Sequence, residues 1–238
     1  SGVSVKHMLG LKCIHDIVVN AMEYLHIDVP VALHLDHGTS REACEAAIAA
    51  GFSSIMFDGS HLPFRENLAI TRHLVTLAHS KGISVEAELG TIAGSEDGIV
   101  NSEVIYADPQ ECYTLVTETQ VDCLAAALGS THGLYKGKAR LGFTEMKAIA
   151  EQVKVPLVLH GGTGIADEDM RRAIACGTAK INVNTENMYA WCQQVKAIFA
   201  ADTGHDVNDP RKVIAQGLQP VREMIARRMA LFGSEQRY

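Results

Sequence analysis

Short apolar, β-branched runs alternate along the chain with loops carrying glycine or polar residues and with longer stretches of helical spacing. The runs cover residues 31–36, 53–58, 84–88, 123–128, 156–160 and 180–184, and their starts lie 22, 31, 39, 33 and 24 residues apart. That is the spacing of successive βα units, so the pattern predicts six parallel strands with helices between them. Helix starts are signalled independently. Asp108-Pro109-Gln110-Glu111 offers an aspartate cap, a proline at the first helical position and a glutamate three residues past the cap. Thr39-Ser40-Arg41-Glu42 reads as a capping box before a helix over 43–50, stopped by Gly51. Asp209-Pro210-Arg211 opens a C-terminal helical region where Val213, Leu218, Val221, Ile225 and Met229 recur at near-helical spacing. A helix is also predicted over 11–24, with no strand visible before it.

Strands alternating with helices imply a parallel α/β sheet, either open and doubly wound or closed as a (β/α)8 barrel. Six strands are two short of a barrel. On the barrel reading, a βαβ unit of about 30 residues or more is missing from the front. No linker, low-complexity tract or charge run divides the chain, so residues 1–238 are read as one domain.

Composition narrows the function classes. Hydrophobic residues make up 47% and charged residues 21%, enough apolar content to bury a large core. Lys and Arg number 21 against 28 Asp and Glu, a net charge of −7, which argues against a general nucleic-acid binder but not against one local anion pocket. No stretch reaches the ~18 unbroken apolar residues of a membrane span. The start, Ser1-Gly2-Val3-Ser4-Val5-Lys6, has no apolar signal region, so a cytoplasmic protein without a membrane partner is expected. The six cysteines form no C-x-x-C pair and are read as reduced thiols.

The chemistry-bearing residues gather at the carboxyl ends of the predicted strands, where parallel α/β folds bind their ligands. These are Asp36 and His37, Asp58, Glu88, His132, His160 and Asn182. Three histidines on three strands, with a fourth position left open, suit a catalytic zinc, because neutral imidazole is a good ligand and substrate can take the vacancy. His34 shares a side of its strand with Asp36 and is read as a packing or supporting residue. His61, His73, His79 and His205 fall in helices or loops and read as ordinary histidines. Two segments look made for phosphate: Gly161-Gly162-Thr163-Gly164, before a helix near Asp167, and Asn182-Val183-Asn184-Thr185, before a helix from about Glu186. Turn and helix-start N–H groups form an anion cradle, and these two follow the last two strands.

These segments, in this order, resemble the class II, zinc-dependent ketose-bisphosphate aldolases. The motifs are His34-Leu-Asp-His37-Gly, Asp58-Gly-Ser-His61, Val85-Glu-Ala-Glu88-Leu-Gly90, Gly129-Ser-Thr-His132-Gly133, Leu159-His160-Gly-Gly-Thr-Gly164 and Lys180-Ile-Asn-Val-Asn-Thr-Glu186. The resemblance implies a TIM (β/α)8 barrel, with the N-terminal strands of the family absent from this chain. It implies His37, His132 and His160 as zinc ligands. Asp36 would exchange the proton of the aldehyde oxygen, and Glu96, in a polar glycine-flanked loop, would move a proton at the carbon beside the ketone. Asn182 would hold the enediolate. Gly133, Gly161, Gly162, Thr163, Asn182, Val183, Asn184 and Thr185 match the dihydroxyacetone-phosphate cradle, with Lys136 approaching a phosphate. Asp58 and Glu88 match an alternative metal position or partners of the ligands, and a second divalent ion or a monovalent cation is a further expectation. The family forms homodimers or larger assemblies such as homotetramers.

The Lys180-Ile-Asn-Val-Asn184-Thr form, with His160-Gly-Gly-Thr, is similar to the fructose-bisphosphate members; tagatose-bisphosphate members more often carry a small residue at the Asn184 position. Asp58-Gly-Ser60 and Leu124-Ala-Ala-Ala-Leu128-Gly are also similar to relatives that cleave a deoxy-phosphogluconate in inositol breakdown. A Schiff-base mechanism on Lys180 is disfavoured, since the sequence places that lysine at the amino end of its strand. A non-catalytic sugar-phosphate binder would be marked by lost metal ligands, and all three are present. Fructose 1,6-bisphosphate is therefore the expected substrate.

Overall fold

The computed structural model describes residues 2–96, 99–101, 105–133, 138–202, 207–235 and 237. Two helices open the chain, α1 (Gly2–His7) and α2 (Leu11–Tyr24), the second on the span its periodicity marks. Then come β1 (His34–Gly38), α3 (Arg41–Ala49), β2 (Ser54–Phe57), α4 (Phe64–His79) and β3 (Ser84–Leu89). A hairpin of β4 (Ala93–Glu96) and β5 (Ile99–Asn101) precedes α5 (Pro109–Thr119), β6 (Cys123–Ala126), β7 (Thr131–His132) and α6 (Phe143–Val153). The chain continues through β8 (Leu157–Leu159), α7 (Asp167–Ala175), β9 (Thr178–Ile181), α8 (Thr185–Ala201) and α9 (Pro210–Phe232).

The principal sheet runs β1-β2-β3-β6-β8-β9, with every pairing parallel and its strands in chain order, β4, β5 and β7 standing apart in a second sheet. A doubly wound sheet reverses its strand order at a switch point. This one does not, so it is barrel wall: six strands of the eight that close a (β/α)8 barrel. Among the described residues, β1 and β9 each pair on one side only. No described helix is long and apolar enough to cross a membrane.

Period-two alternation sorts the strand residues into two faces. Ile55, Phe57, Val85, Ala87, Leu89, Leu124, Leu157 and Leu159 face the helices and join Ile48, Leu74, Leu115, Ile149 and Met170 in one apolar cluster. Burying side chains of this size stabilises by about 1.5–3 kcal/mol each. The opposite face carries only a small plug of Met56, Ala125 and Val158, with Cys123 against it. Its remaining positions are polar: His34, Asp36, Glu86, Glu88 and Lys180. The inner surface of the arc is therefore a site, with little core of its own.

Three of the shifted strand and helix boundaries have a visible cause. β1 starts at His34 rather than residue 31, because its partner β2 begins only at Ser54. β9 spans Thr178–Ile181 rather than 180–184, since the chain turns toward α8 after Asn182 N bonds Leu159 O. Ser40, not Thr39, caps α3, its Oγ accepting from Ala43 N at 3.1 Å. Asp108 caps α5 as its sequence indicates, accepting from Gln110 N and Glu111 N at 2.9 Å each.

Candidate active site

Strand alternation and one irregularity bring the polar strand ends together. A regular β1 would send Asp36 and His37 to opposite faces. Instead the register against β2 shifts between Leu35 and Gly38, and His37 adopts a left-handed φ of 47°. This bulge turns His37 to the side of Asp36. Such a backbone costs a non-glycine residue about 1 kcal/mol or more, and it occurs here at the centre of the site.

His37 Nε2 lies 3.0 Å from His160 Nδ1, and Asn182 Nδ2 lies 3.2 Å from the same nitrogen. Asn182 Nδ2 also donates to Asp36 Oδ1 at 2.9 Å. That bond joins the two end strands of the arc, which share no backbone pairing. His132, closing β7, sets its ring 5.2 Å from that of His37 and 6.0 Å from that of His160. One ring nitrogen from each histidine lies within 4.8 Å of the others.

The outer nitrogens decide what the inner ones can do. His37 Nδ1 is 3.0 Å from Asp58 Oδ2, and His160 Nε2 is 2.8 Å from Glu86 Oε1. Ionised carboxylates only accept, so each ring carries its proton on the carboxylate side and turns a lone pair to the other. Two lone pairs 3.0 Å apart call for a cation between them. Bonds of about 2.0–2.1 Å in tetrahedral geometry put zinc-bound nitrogens ~3.3 Å apart, so the His37–His160 pair fits zinc with a small adjustment, and His132 offers the third nitrogen from within 4.8 Å. A second set, His37, Asp58 and Glu88, also brings its ligand atoms within 4.8 Å, with His37 Nδ1 3.8 Å from Glu88 Oε2. One imidazole thus faces two candidate metal positions.

Burial works against charge on Asp58, yet bonds from His37 and from Ser60 N and Oγ, at 3.1 and 2.6 Å, outweigh it and bring its pKa down to about 2. Burial likewise opposes charge on Glu86, and His160 together with Lys180, whose Nζ is 2.9 Å from Oε2, holds it at about 2. Burial pushes His34 down to about 4 against the pull of Glu86, so it is neutral at pH 7. Its Nδ1 pairs with Ser54 Oγ at 2.8 Å.

The expected phosphate segments adjoin one another. Gly161 has a φ of +67°, Gly162 N donates to Asn182 O at 3.0 Å, and Thr163 is buried with its Oγ1 accepting from Glu186 N at 3.4 Å. Asn184 stands at the N-cap position of α8 without a side-chain capping bond, and Thr185 begins the helix, one residue earlier than expected. Glu186, an acid in that first turn, is neutralised by Arg228, which reaches it from α9 through Nε and Nη2 at 2.5 and 2.6 Å. Glu186 N is taken up by Thr163, and the other N–H groups of this first turn are of the kind that suits an anion. Val183 O accepts from Asn187 Nδ2 at 3.3 Å, and Gly133 borders open space.

Lys136 lies outside the described residues. Glu96 ends β4, its backbone paired with Ile99, and its side chain also lies outside them. The polar loop expected around it is a hairpin, and β4 pairs in parallel with β7, Gly94 opposite His132. The site also holds Glu86, which the sequence reading does not single out, and Lys180, which that reading sets at the amino end of its strand. Glu86 stands two positions before Glu88, on the same strand face, and that alternation was its signal. Lys180 is the third residue of β9, not its first, and its side chain runs into the site rather than away from it.

Comparison with known proteins gives the family. The family described as fructose-bisphosphate aldolase class-II matches residues 1–237. A fructose-bisphosphate aldolase of Geobacillus stearothermophilus is 52% identical over 231 residues, 97% of this chain and 80% of that protein. A probable fructose-bisphosphate aldolase of Bacillus subtilis is 51% identical over 229 residues, 96% of this chain and 80% of its own length. The crystal structure of the YdjI aldolase from Escherichia coli K12 superposes with a TM-score of 0.79 at 34% identity, covering 95% of this chain and 77% of that one. With its arc of barrel strands and its ring of three imidazoles, the chain belongs to the class-II fructose-bisphosphate aldolase family.

Proposed function

We propose that this protein cleaves fructose 1,6-bisphosphate reversibly to dihydroxyacetone phosphate and glyceraldehyde 3-phosphate, with zinc held by His37, His132 and His160. The observation that carries the reading is the convergence of three imidazole nitrogens within 4.8 Å, with Asp36 and Asn182 beside them. Relatives about 50% identical over nearly the whole chain carry the name of that activity. Zinc bound there supplies positive charge at the ketone oxygen, where negative charge develops as the carbon–carbon bond opens, a contribution of several kcal/mol.

The chain's own residues handle protons and position. Asp36 accepts the proton of the hydroxyl on the carbon that becomes the aldehyde, so the oxygen's electron pair forms the carbonyl while the adjacent carbon–carbon bond breaks. Asn182 Nδ2 donates to the ketone-derived oxygen. Glu96 returns a proton to the carbon left behind, from a hairpin docked on the strand of His132. Gly133, Gly161, Gly162, Thr163 and Asn182 through Thr185 hold the phosphate of the ketone half, with Lys136 near a phosphate. Asp58 and Glu88 orient His37 or share it with a second cation. The assembly is a homodimer or homotetramer, and light scattering reads that directly.

The test is cleavage of fructose 1,6-bisphosphate before and after chelation, then with zinc restored. Activity lost to chelator and regained with zinc is the expected result. Cleavage of tagatose bisphosphate or a deoxy-phosphogluconate in its place would move the substrate while keeping the site. Full activity in chelator would overturn the metal assignment.

A further inference from the structure

One layer below the proposed site, two positions toward the amino end of each strand, lies a charged cluster with no place in the chemistry described so far. Glu86, 1% exposed, sits below Glu88 on β3; Lys180 sits below Asn182 on β9; His34 sits below Asp36 on β1. Lys180 Nζ reaches Glu86 Oε2 at 2.9 Å and donates to Asn182 Oδ1 at 2.8 Å. The other oxygen of Glu86 takes His160 Nε2 at 2.8 Å, and His34 Nε2 lies 3.6 Å from Oε2.

We infer that Lys180 and Glu86 are a pair of positioning residues that fix which atoms the site presents. This rests on the aldolase reading and adds to it. A lysine ammonium only donates. Asn182 must therefore turn Oδ1 down to Lys180 and Nδ2 up to Asp36, so the amide faces substrate as a donor. A carboxylate only accepts, so Glu86 keeps the proton of His160 on Nε2 and leaves Nδ1 to the metal. The two roles are linked because Lys180 neutralises the buried carboxylate that holds His160. Asp36 holds the amide nitrogen and Lys180 the amide oxygen, so the carboxamide is fixed from both ends and Lys180 is the half that keeps its oxygen off a developing oxyanion.

The pair predicts two different failures. In the zinc-loaded protein, Lys180→Met lowers kcat for fructose 1,6-bisphosphate roughly tenfold to a hundredfold, with KM little changed and zinc content at the wild-type level. Lys180→Arg, which keeps a donor, recovers part of the loss. Glu86→Gln instead weakens zinc, by about tenfold to a hundredfold in a chelator competition that needs no turnover. A third readout needs no variant. Selectively 15N-labelled histidine in the wild-type protein shows His160 as the Nε2–H tautomer, and keeps it so on zinc addition. Wild-type kcat in Lys180→Met, unchanged zinc affinity in Glu86→Gln, or a Nδ1–H tautomer at His160 would each overturn the assignment. Failure of the wild-type protein to cleave the sugar would strike the aldolase reading, while the zinc competition and the tautomer still judge Glu86.

Discussion

A methyl group is enough to probe the turn after β8. At Gly161 a Cβ would meet the Thr131 carbonyl oxygen at 2.2 Å, on a backbone with a φ of +67°. Gly161→Ala must therefore push the turn carrying His160 away from the strand carrying His132, and two of the three imidazoles separate. A calorimetric titration should show zinc affinity down by about tenfold or more. Strain of ~2 kcal/mol should lower the melting temperature by about 4–8 °C; unchanged zinc affinity would count against the three-histidine site. A second residue-scale prediction concerns thiols. Burial raises Cys44 and Cys112 from 9.0 to about 12, and both are fully buried. Below about pH 9 folded and unfolded chains both hold these protons, so stability is untouched. Between pH 9 and about 12 only the unfolded chain loses them, and each thiol costs ~1.4 kcal/mol of stability per pH unit. Cys112→Ala should flatten the alkaline fall in unfolding free energy by that amount, and parallel curves would refute it.

At the scale of elements, the hairpin β4–β5 is the piece to test. Gly94 lies opposite His132, and a Cβ there would sit 2.3 Å from the His132 carbonyl oxygen, on a φ of +109°. Gly94→Val should lift the hairpin from β7 and carry Glu96 with it. Hydrogen exchange between solvent and the reacting carbon of dihydroxyacetone phosphate should slow by roughly a hundredfold, the effect of misplacing a catalytic group by about 1 Å. Exchange at the wild-type rate would take Glu96 out of its proposed role. Asp108→Ala removes a cap bonded to Gln110 N and Glu111 N and should cost about 1 kcal/mol in thermal unfolding, with kcat unchanged. The capped helices and the six parallel strands were legible in the sequence because their signals are local: spacing, a proline, an aspartate. The pairing of β4 with β7 was not, because Gly94-Ser95-Glu96 is polar, shows no alternation and meets a partner far along the chain. Nor was the bulge that turns His37, since nothing in Leu35-Asp36-His37-Gly38 announces a left-handed histidine. The two lines of Glu86 and Lys180 were readable in part. Alternation put Glu86 beneath Glu88, but the shift of β9 by two residues hid where Lys180 points.

For the molecule as a whole, the inner face of the arc is unusual in being mostly polar, and this follows from its use. Apolar packing lies between strands and helices, so the inside is available for carboxylates and imidazoles whose charges hold one another. The Asp36–Asn182 bond, from β1 to the residue after β9, joins the two ends of the arc. Acid and amide therefore stand on opposite jaws of a caliper. A small widening, too slight to disturb any strand pairing, parts them first, so turnover reports on the curvature of the wall before any measure of secondary structure does. In rising urea, cleavage should vanish while helical ellipticity is still intact, and coincident transitions would show the wall to be rigid. Whatever presses on the outer faces of β1 and β9, another copy of the chain or further strands, then sets the gauge at which the enzyme works.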